Sequence, residues 1–392
     1  MNRNVFISIN PEMLKWARIA DNMDIEYIAR KYNKKNSKKA IEFITDLEKG
    51  TIKPTLSQMV KLAKIYRRSV SIFYLSQPPK VEFTTIEFRR LYKDKNKTLH
   101  PVSMYLIREV QNNISIVKEI DEEEGFNRNA DIISNMKIDT DIDIHPLAKN
   151  IRELLKITIE HQIKCSNEYD ALKLWRSAIE NLEIFVFIVG NRPKSGIPLT
   201  EFRACAIYDK KYPVIVLNSK DSIRAKIFSL LHEFCHLLLK KSDIYEEEEK
   251  ETDKIEQFCN KLASEILLPQ SIVLKEYESL KQNFSLKDII NKLSIKYKIS
   301  EEFVLNQINK YFIVSDYNQV KDEIRKNYEK ASKVKKYYNV TPAKKCISSK
   351  GNAFVSTILK AFEKNMITSL DASKYLGLKN NHLKELAKYV HD

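Results

Sequence analysis

The chain has 392 residues, and this length exceeds that of one typical domain, so we expect two or three domains. The hydrophobic share of 43% is ordinary for a globular protein. Six glycines and eleven prolines are too few for a β-sandwich or barrel rich in tight turns. The composition favours helices, and we expect a mainly α protein with a small β-sheet (α+β). The formal charge of +15 is compatible with binding of a polyanion, and equally with a lysine-rich soluble surface.

Residues 1–79 are predicted to form an all-helical domain of five short helices. The first opens at Pro11, where the missing N–H costs little, and the second is IEYIARKY. The third runs from about Lys39 to Lys49 and ends at Gly50. The fourth is LSQMVKLAKIY with Thr55 as its N-cap, and the fifth is SVSIFYL.

The stretch LEKGTIKPTLSQMVKLAKIYRRSVSIFYL, residues 47–75, resembles the turn and fourth helix of XRE/Cro-type helix-turn-helix domains. The resemblance implies that the third helix enters the major groove of DNA. Residues 1–80 carry sixteen Lys and Arg against seven Asp and Glu, so the module is basic. Candidate DNA contacts on and before the third helix are Lys34, Lys35, Ser37, Lys38, Lys39, Glu42 and Thr45.

The third helix lacks Arg, Gln and Asn, the side chains best suited to bidentate reading of bases. Contact with phosphates is therefore easier to defend than sequence-specific readout. A helical bundle that docks on another protein is the alternative.

Residues 80–144 are predicted to form a helical connector, with a basic stretch EFRRLYKDKNK and an acidic stretch EIDEEEGFNRNADI. Helices are then expected in LAKNIRELLKI and ALKLWRSAIENL. Strands follow in EIFVFIVG, where Ile184, Val186 and Ile188 alternate, and in residues 204–208 and 214–218.

Residues 223–240, IRAKIFSLLHEFCHLLLK, form an apolar helical segment that contains His232, Glu233 and His236. Helix positions four apart lie one above the other, so both imidazoles can reach one zinc ion. Glu233 projects from the flank, where a carboxylate can accept a proton from a metal-activated water. Two His ligands, an open position and an adjacent base are the requirements of a catalytic zinc site. The short pattern also occurs by chance, in which case both histidines would be core residues.

A catalytic zinc needs a third protein ligand, and the next helix, KIEQFCNKLASEILLP, offers one. Glu256 lies at the border of its apolar face, and we assign it as this ligand, with Asn260 one turn later as a hydrogen-bonding partner that orients a ligand. The acidic residues 246–251 are better explained as a solvated loop, although one of them could substitute for Glu256.

The blocks AIYDKKYPVIVLN, IFSLLHEFCHLLL and IEQFCNKLASEILLP resemble, in this order, the ImmA/IrrE family of metallopeptidases, over roughly residues 145–275. The resemblance implies His232, His236 and Glu256 as metal ligands and Glu233 as the base. We expect a zincin-like peptidase domain over residues 145–335.

Residues 351–386 resemble a C-terminal segment of longer members of the family, and we expect a small helical module over residues 336–392. The pattern DASKYLGLKNNHLKEL fits a helix, a tight turn at Gly377 and a second helix. A second helix-turn-helix and a packing module both fit it.

These features predict a zinc-dependent endopeptidase joined to a DNA-binding module. The resemblance implies that it cleaves a helix-turn-helix repressor or antitoxin protein and so controls transcription. An extended substrate could add to the edge strand at 204–208, and Tyr208, Arg203 and Tyr212 are alternative donors for oxyanion stabilisation. The rival hypothesis is a DNA-binding regulator or antitoxin whose zinc fold senses or binds a partner without proteolysis; the presence of Glu233 argues against it.

The cysteines and the apolar stretches of the sequence bear on the cellular compartment of the protein. Five scattered cysteines do not make a disulfide framework, and the N-terminal residues contain no apolar stretch typical of a signal peptide. No apolar run approaches the roughly 18 residues that span a bilayer. We therefore expect a cytoplasmic protein with reduced cysteines and no membrane partner.

Overall fold

A computed structural model of the chain describes residues 5–79, 99–128, 138–190, 197–199, 201–239, 249–332 and 340–391. Its elements are mostly helices together with one three-stranded sheet, so the predicted mainly α, α+β class is confirmed. The chain divides into two compact units, residues 1–111 and 112–392. The predicted basic stretch of the connector lies outside the described residues.

The first unit begins with the short helices expected from the sequence. They are α1 (Pro11–Ala20), α2 (Ile25–Tyr32), α3 (Ser37–Lys49) and α4 (Leu56–Tyr66), followed by a 3-10 helix (Val70–Tyr74). The third helix starts two residues before its predicted position, because the Asn36 side chain accepts a hydrogen bond from the Lys39 N–H and caps it. The fifth is a 3-10 helix of five residues.

Helix α5 (Pro101–Glu124) crosses the boundary at residue 111, and its first part belongs to the first unit. Asp21, at the end of α1, is buried and forms ion pairs with Arg68 (3.4 Å) and with Arg108 of α5. A buried carboxylate needs such partners, since an uncompensated charge in the interior is costly. These pairs fix the start of α5 to the first helices.

The second unit contains most of the described elements. Before and within its sheet lie α6 (Ile144–Leu154), α7 (Ile159–Lys164), α8 (Glu168–Glu180), β1 (Phe185–Val189), β2 (Ala204–Ile207) and β3 (Val214–Asn218). After the sheet come α9 (Ile223–Leu238), α10 (Glu249–Leu267), α11 (Gln270–Leu280), α12 (Leu286–Tyr297), α13 (Glu301–Tyr311) and α14 (Tyr317–Ser332). The last helices are α15 (Pro342–Lys350), α16 (Asn352–Glu363), α17 (Ser369–Leu376) and α18 (Leu383–His391). Among the described helices, no candidate for a membrane span was found.

The sheet has the order β1-β3-β2. Strand β1 pairs parallel to β3, with Phe187 opposite Val216, and β2 pairs antiparallel to β3, with Cys205 opposite Val216. Within the described sheet β2 is therefore an edge strand, with β3 paired to one of its sides and no strand paired to the other.

All five residues of β1 are buried, although the sequence suggested an apolar face formed by alternate residues. Val186 belongs to the main core with residues of α8 and α9, whereas Phe187 packs against Phe354 of α16 with ring centroids 5.6 Å apart. The C-terminal helices thus cover the second face of this strand.

The joint between α15 and α16 fixes this arrangement. Arg176 of α8 donates to Ser348 O (2.6 Å) and to Val186 O, and it pairs with Glu180 (3.1 Å). The Glu180 carboxylate in turn accepts the Asn352 N–H (3.1 Å). Burial raises the pKa of Glu180, and the Arg176 charge and the hydrogen bonds from the joint act against this rise.

Candidate metal centre

Helix α9 places two imidazoles on one stripe. Ser222 caps the helix by accepting from the Ala225 N–H (3.1 Å), and ten of the sixteen residues of the helix are buried, most of them apolar. His232 and His236 are one turn apart, with ring centroids separated by 4.8 Å. A buried helix of this kind has little freedom to rotate, so its packing fixes the direction of both rings.

Helix α10 brings the acidic residue. Its buried positions Ile255, Phe258, Cys259, Leu262, Ala263 and Ile266 recur at helical spacing and pack in the same core as α9. Glu256 lies beside this face and reaches both histidines. Its carboxylate oxygens are 3.3 Å from His232 Nε2 and 3.2 Å from His236 Nε2.

The structure therefore brings together the three residues assigned as ligands from the sequence. The two Nε2 atoms are 3.1 Å apart, and the group is able to hold a metal ion. Four ligand atoms placed tetrahedrally at about 2.0–2.2 Å from zinc lie about 3.3–3.6 Å from one another. The observed spacings of 3.1–3.3 Å lie at the short end of this range or just below it, so a small outward movement of the side chains lets two nitrogens and one carboxylate hold zinc.

The electrostatics of the cluster reflect the same convergence. Burial disfavours the charged imidazole of His232, but hydrogen bonding to Glu256 and the charges of Glu233 and Glu256 raise its pKa. Burial would also raise the pKa of Glu256, yet hydrogen bonds from His232 and His236 lower it well below its usual range. The cluster thus stabilises positive charge beside a carboxylate that stays ionised.

The site is open on one side. The side chains of His232 and His236 are 14% and 8% exposed, whereas that of Glu256 is 33% exposed. Glu233 is half-buried and follows His232 directly in α9, and its charge acts on the imidazole of His232. A carboxylate in this place can receive a proton from a water held at the open side.

Asn260 lies one turn after Glu256 and is exposed. A hydrogen bond of its side chain raises the pKa of His232, but less than Glu256 and Glu233 do. The Nδ1 atoms of both histidines are buried and have no hydrogen-bond partner among the described residues. The contact of Asn260 is therefore not with Nδ1, the atom that a metal-bound histidine usually uses toward its supporting partner.

Of the acidic residues 246–251, which were expected to form a solvated loop, residues 249–251 belong to the first turn of helix α10. Residues 246–248 lie outside the described residues, and so do the side chains of residues 249–251.

The three alternative oxyanion donors have different surroundings. Arg203 forms an ion pair with Asp221 (3.3 Å). Tyr212 is buried, and its pKa rises to about 12, first through burial and then through the charge of Asp121, to which its side chain is hydrogen-bonded. Tyr208 directly follows β2 and packs half-buried against the core that contains α9.

Lys226 was not singled out by sequence reasoning, although it lies in the first turns of α9. It is 5% exposed and donates to Ser219 O and Asp221 O, both at 2.8 Å. Burial lowers its pKa to about 8, against the opposing effect of Asp221. These bonds tie the loop after β3 to the helix that carries the histidines. The sequence shows only a lysine in the first turn of the helix, two residues after Arg224, and nothing in it indicates which groups the lysine binds.

The DNA-contact candidates of the first unit surround the start of α3. Lys34 and Lys35 lie in the turn between α2 and α3, and Lys38 and Lys39 lie in the first turn of α3; all four are exposed. Ser37 and Thr45 are partly buried, and Glu42 is exposed. The structure thus presents a lysine cluster at this turn.

Comparison with known proteins connects the second unit to a family. No curated protein and no solved structure gives a significant match. Residues 198–309, which are 112 of the 392 residues, match the family model of the IrrE N-terminal-like domain, Peptidase_M78. The matched segment starts and ends later than the resemblance noted in the sequence, and it contains β2, β3 and both helices of the metal cluster. The match supports the relation of this region to the ImmA/IrrE family and a metallopeptidase-like function.

Proposed function

We propose that the chain is a zinc-dependent endopeptidase fused to a DNA-binding module, and that it cleaves a repressor or antitoxin protein to control transcription. The observation that carries the proposal is the approach of His232 Nε2, His236 Nε2 and the Glu256 carboxylate to within 3.1–3.3 Å of one another, beside Glu233. The family match of residues 198–309 supports it.

His232, His236 and Glu256 would hold the ion in this mechanism. When bound, zinc supplies a Lewis acid that polarises the scissile carbonyl and lowers the pKa of a water to roughly 7. Glu233 accepts the proton of the attacking water and passes it to the leaving amine. The more exposed side of Glu256 leaves room for the peptide.

Strand β2 gives the substrate a place to bind. Since β2 is an edge strand in the described sheet, an extended peptide can add to it through main-chain hydrogen bonds. β2 packs with α9 and therefore runs near the metal cluster. A segment of the substrate with little fixed structure would suit this mode.

The lysines of the first unit support the DNA-binding part of the proposal. Lys34, Lys35, Lys38 and Lys39 are exposed around one turn, which suits contact with phosphates. The first unit is compact, as a separate binding module requires.

The test compares the wild type with Glu233→Gln and with Glu153→Gln, which removes one exposed carboxylate of the second unit. Metal content is measured together with cleavage of the helix-turn-helix proteins encoded beside this chain. We expect all three proteins to bind one zinc per chain. Glu233→Gln should lower the cleavage rate by about 10²–10⁴-fold, because a general base is lost, while Glu153→Gln keeps the wild-type rate.

Two results would contradict the proposal. One is a wild type that binds no zinc, and the other is cleavage by Glu233→Gln at the rate of the control. If the transcriptional output also stayed unchanged in Glu233→Gln, a regulator without proteolysis would explain the protein better.

A further inference from the structure

The C-terminal helices α17 and α18 are joined by a short turn. Thr368 and Asp371 cap α17 reciprocally, and the helix ends at Gly377, which has a φ of 66°. Leu378 N–H donates back to Ser373 O (3.0 Å), and a single 3-10 turn (Asn380–His382) leads into α18. Gly377 and two further residues separate α17 from the 3-10 turn that continues into α18, and a bend of this length with a glycine is the layout of a helix-turn-helix.

One face of this pair is anchored. Ala372 and Leu376 of α17 and Leu383 and Leu386 of α18 are buried, and the two helices pack against α15 and α16. The Cys346 thiol of α15 donates to Leu376 O at the end of α17 (3.4 Å). Because the apolar side chains face α15 and α16, the opposite face of the pair is presented to solvent.

The solvent face is basic. Lys374, Lys379, Lys384 and Lys388 are exposed, and Asn381 is exposed between them. Of the nearby acidic groups, Asp371 accepts from Thr368 in the cap of α17 (2.6 Å), and Glu385 is half-buried, with its carboxylate 3.7 Å from the His382 ring.

A second helix pair in the same unit has the same layout but a different outer face. Helix α12 ends at Lys298, which has a φ of 58°, and Ser300 caps α13. Helix α13 begins with two acidic residues, and its outer side is engaged by α14, where Arg325 pairs with Glu302 (2.6 Å) and Tyr317 bonds Asn306 (2.7 Å). That pair is therefore used for packing inside the unit.

From this contrast we propose that α17 and α18 form a second DNA-binding element, separate from the N-terminal module, with α18 in the major groove. Duplex DNA is the occupant that the charges fit, because closely spaced lysines displace the counterions condensed on phosphates. Asn381 and Lys384 lie in the first turns of this segment, from which a recognition helix contacts base edges. Asn suits adenine in particular. Lys379 and Lys388, before and after them, would contact phosphates.

Asn380 has a different role from Asn381. Its carboxamide bonds the Ser373 hydroxyl and donates to Ser369 Oγ (3.4 Å), both in α17. It fixes the turn, so we do not count it among the DNA contacts.

The experiment uses the full chain and fluorescence anisotropy with a labelled DNA duplex of mixed sequence, over a salt series. The test variant is Lys379→Ala/Lys384→Ala/Lys388→Ala. The control is Lys149→Ala/Lys173→Ala/Lys275→Ala, which removes the same charge from exposed lysines of the second unit outside the C-terminal helices. All six lysines are exposed, so the melting temperature should not change, and circular dichroism checks this.

We expect the test variant to bind at least about tenfold more weakly than the control near physiological salt, and its slope of log affinity against log salt to be smaller by about 2 to 3. Affinity and slope equal to those of the control would overturn the proposal. A third variant, Lys34→Ala/Lys35→Ala/Lys38→Ala, reports on the N-terminal module separately. Its effect distinguishes failure of the proposed N-terminal DNA contact from failure of the C-terminal one.

Discussion

At the scale of single residues, Lys226 gives the stability of the second unit a pH dependence that can be measured. The folded chain holds Lys226 with a pKa of about 8, whereas the unperturbed value is 10.5. Between these values the unfolded chain binds more protons than the folded chain, so the free energy of unfolding rises with pH in this window. A shift of this size corresponds to about 3 kcal/mol, since one pKa unit is about 1.4 kcal/mol.

Lys226→Met removes this titration. We expect its free energy of unfolding, measured with urea at several pH values, to lack the rise of about 2–3 kcal/mol that the wild type shows from about pH 8 to about pH 10.5. Lys220→Met, an exposed neighbour, should keep the rise. The readout is the difference in pH dependence, because Met also leaves the carbonyls of Ser219 and Asp221 without their donor. Parallel curves for the wild type and Lys226→Met would contradict the assignment.

The three candidate ligands that the structure brings together could be identified from the sequence, and Lys226 could not. His232 and His236 belong to one helix, so their spacing alone puts both imidazoles on one stripe. Glu256 required a second step, because it comes twenty positions after His236 on another helix, and only the apolar period of α10 indicated that it lies beside the face that packs in the core. The role of Lys226 depends on two carbonyls of the loop after β3, and no side-chain pattern encodes their position.

At the scale of elements, the joint between α15 and α16 holds the C-terminal helices to the sheet. Gly351 has a φ of 84°, and a Cβ atom there would lie 2.7 Å from Val186 O and 2.9 Å from Arg176 Nη2. Neither neighbour can move easily, because Val186 is part of β1 and Arg176 holds both Glu180 and Ser348 O. A methyl group at this position must therefore displace the joint.

We predict that Gly351→Ala lowers the free energy of unfolding by about 3 kcal/mol, since it combines backbone strain with overpacking. Gly377→Ala is the matched control. It has a φ of 66° but no neighbour within 4 Å of the added Cβ, so we expect a loss of only about 1 kcal/mol. Urea unfolding of both variants measures the difference, and equal losses would mean that the close approach at Gly351 does not matter.

The elements themselves were largely predictable where local signals agree. The bounds of α2 and α4 match the predicted segments, because Asp24 and Thr55 cap them and apolar residues recur at helical spacing. The burial of both faces of β1 was not predictable from alternation. Alternation singled out Ile184, Val186 and Ile188 only, and the other face of the strand is buried because α16, more than 150 residues later in the chain, packs Phe354 against Phe187.

At the scale of the whole molecule, the two compact units raise the question of why a metallopeptidase-like domain and a lysine-rich helical module share one chain. A tether answers it in physical terms. If the first unit binds DNA near a DNA-bound substrate, the second unit meets that substrate at an effective concentration up to about millimolar, without any new contact. The gain depends on DNA that both proteins can occupy, and it disappears for a free substrate.

This tether makes the last prediction specific. Addition of DNA that carries the binding site of the substrate repressor should raise the cleavage rate of the wild type at low enzyme concentration by about 10-fold or more. The variant Lys34→Ala/Lys35→Ala/Lys38→Ala/Lys39→Ala should cleave the free repressor at the wild-type rate, because these lysines and the metal cluster belong to different units. It should gain little from the DNA. The rates come from single-turnover cleavage followed by gel electrophoresis, with Glu233→Gln as the inactive reference.

Since phosphate contacts are screened by salt, the acceleration should also fall as salt increases, while the cleavage of free repressor changes less. An equal acceleration of the wild type and the lysine variant would show that DNA acts on the substrate alone, and the first unit would then need another explanation.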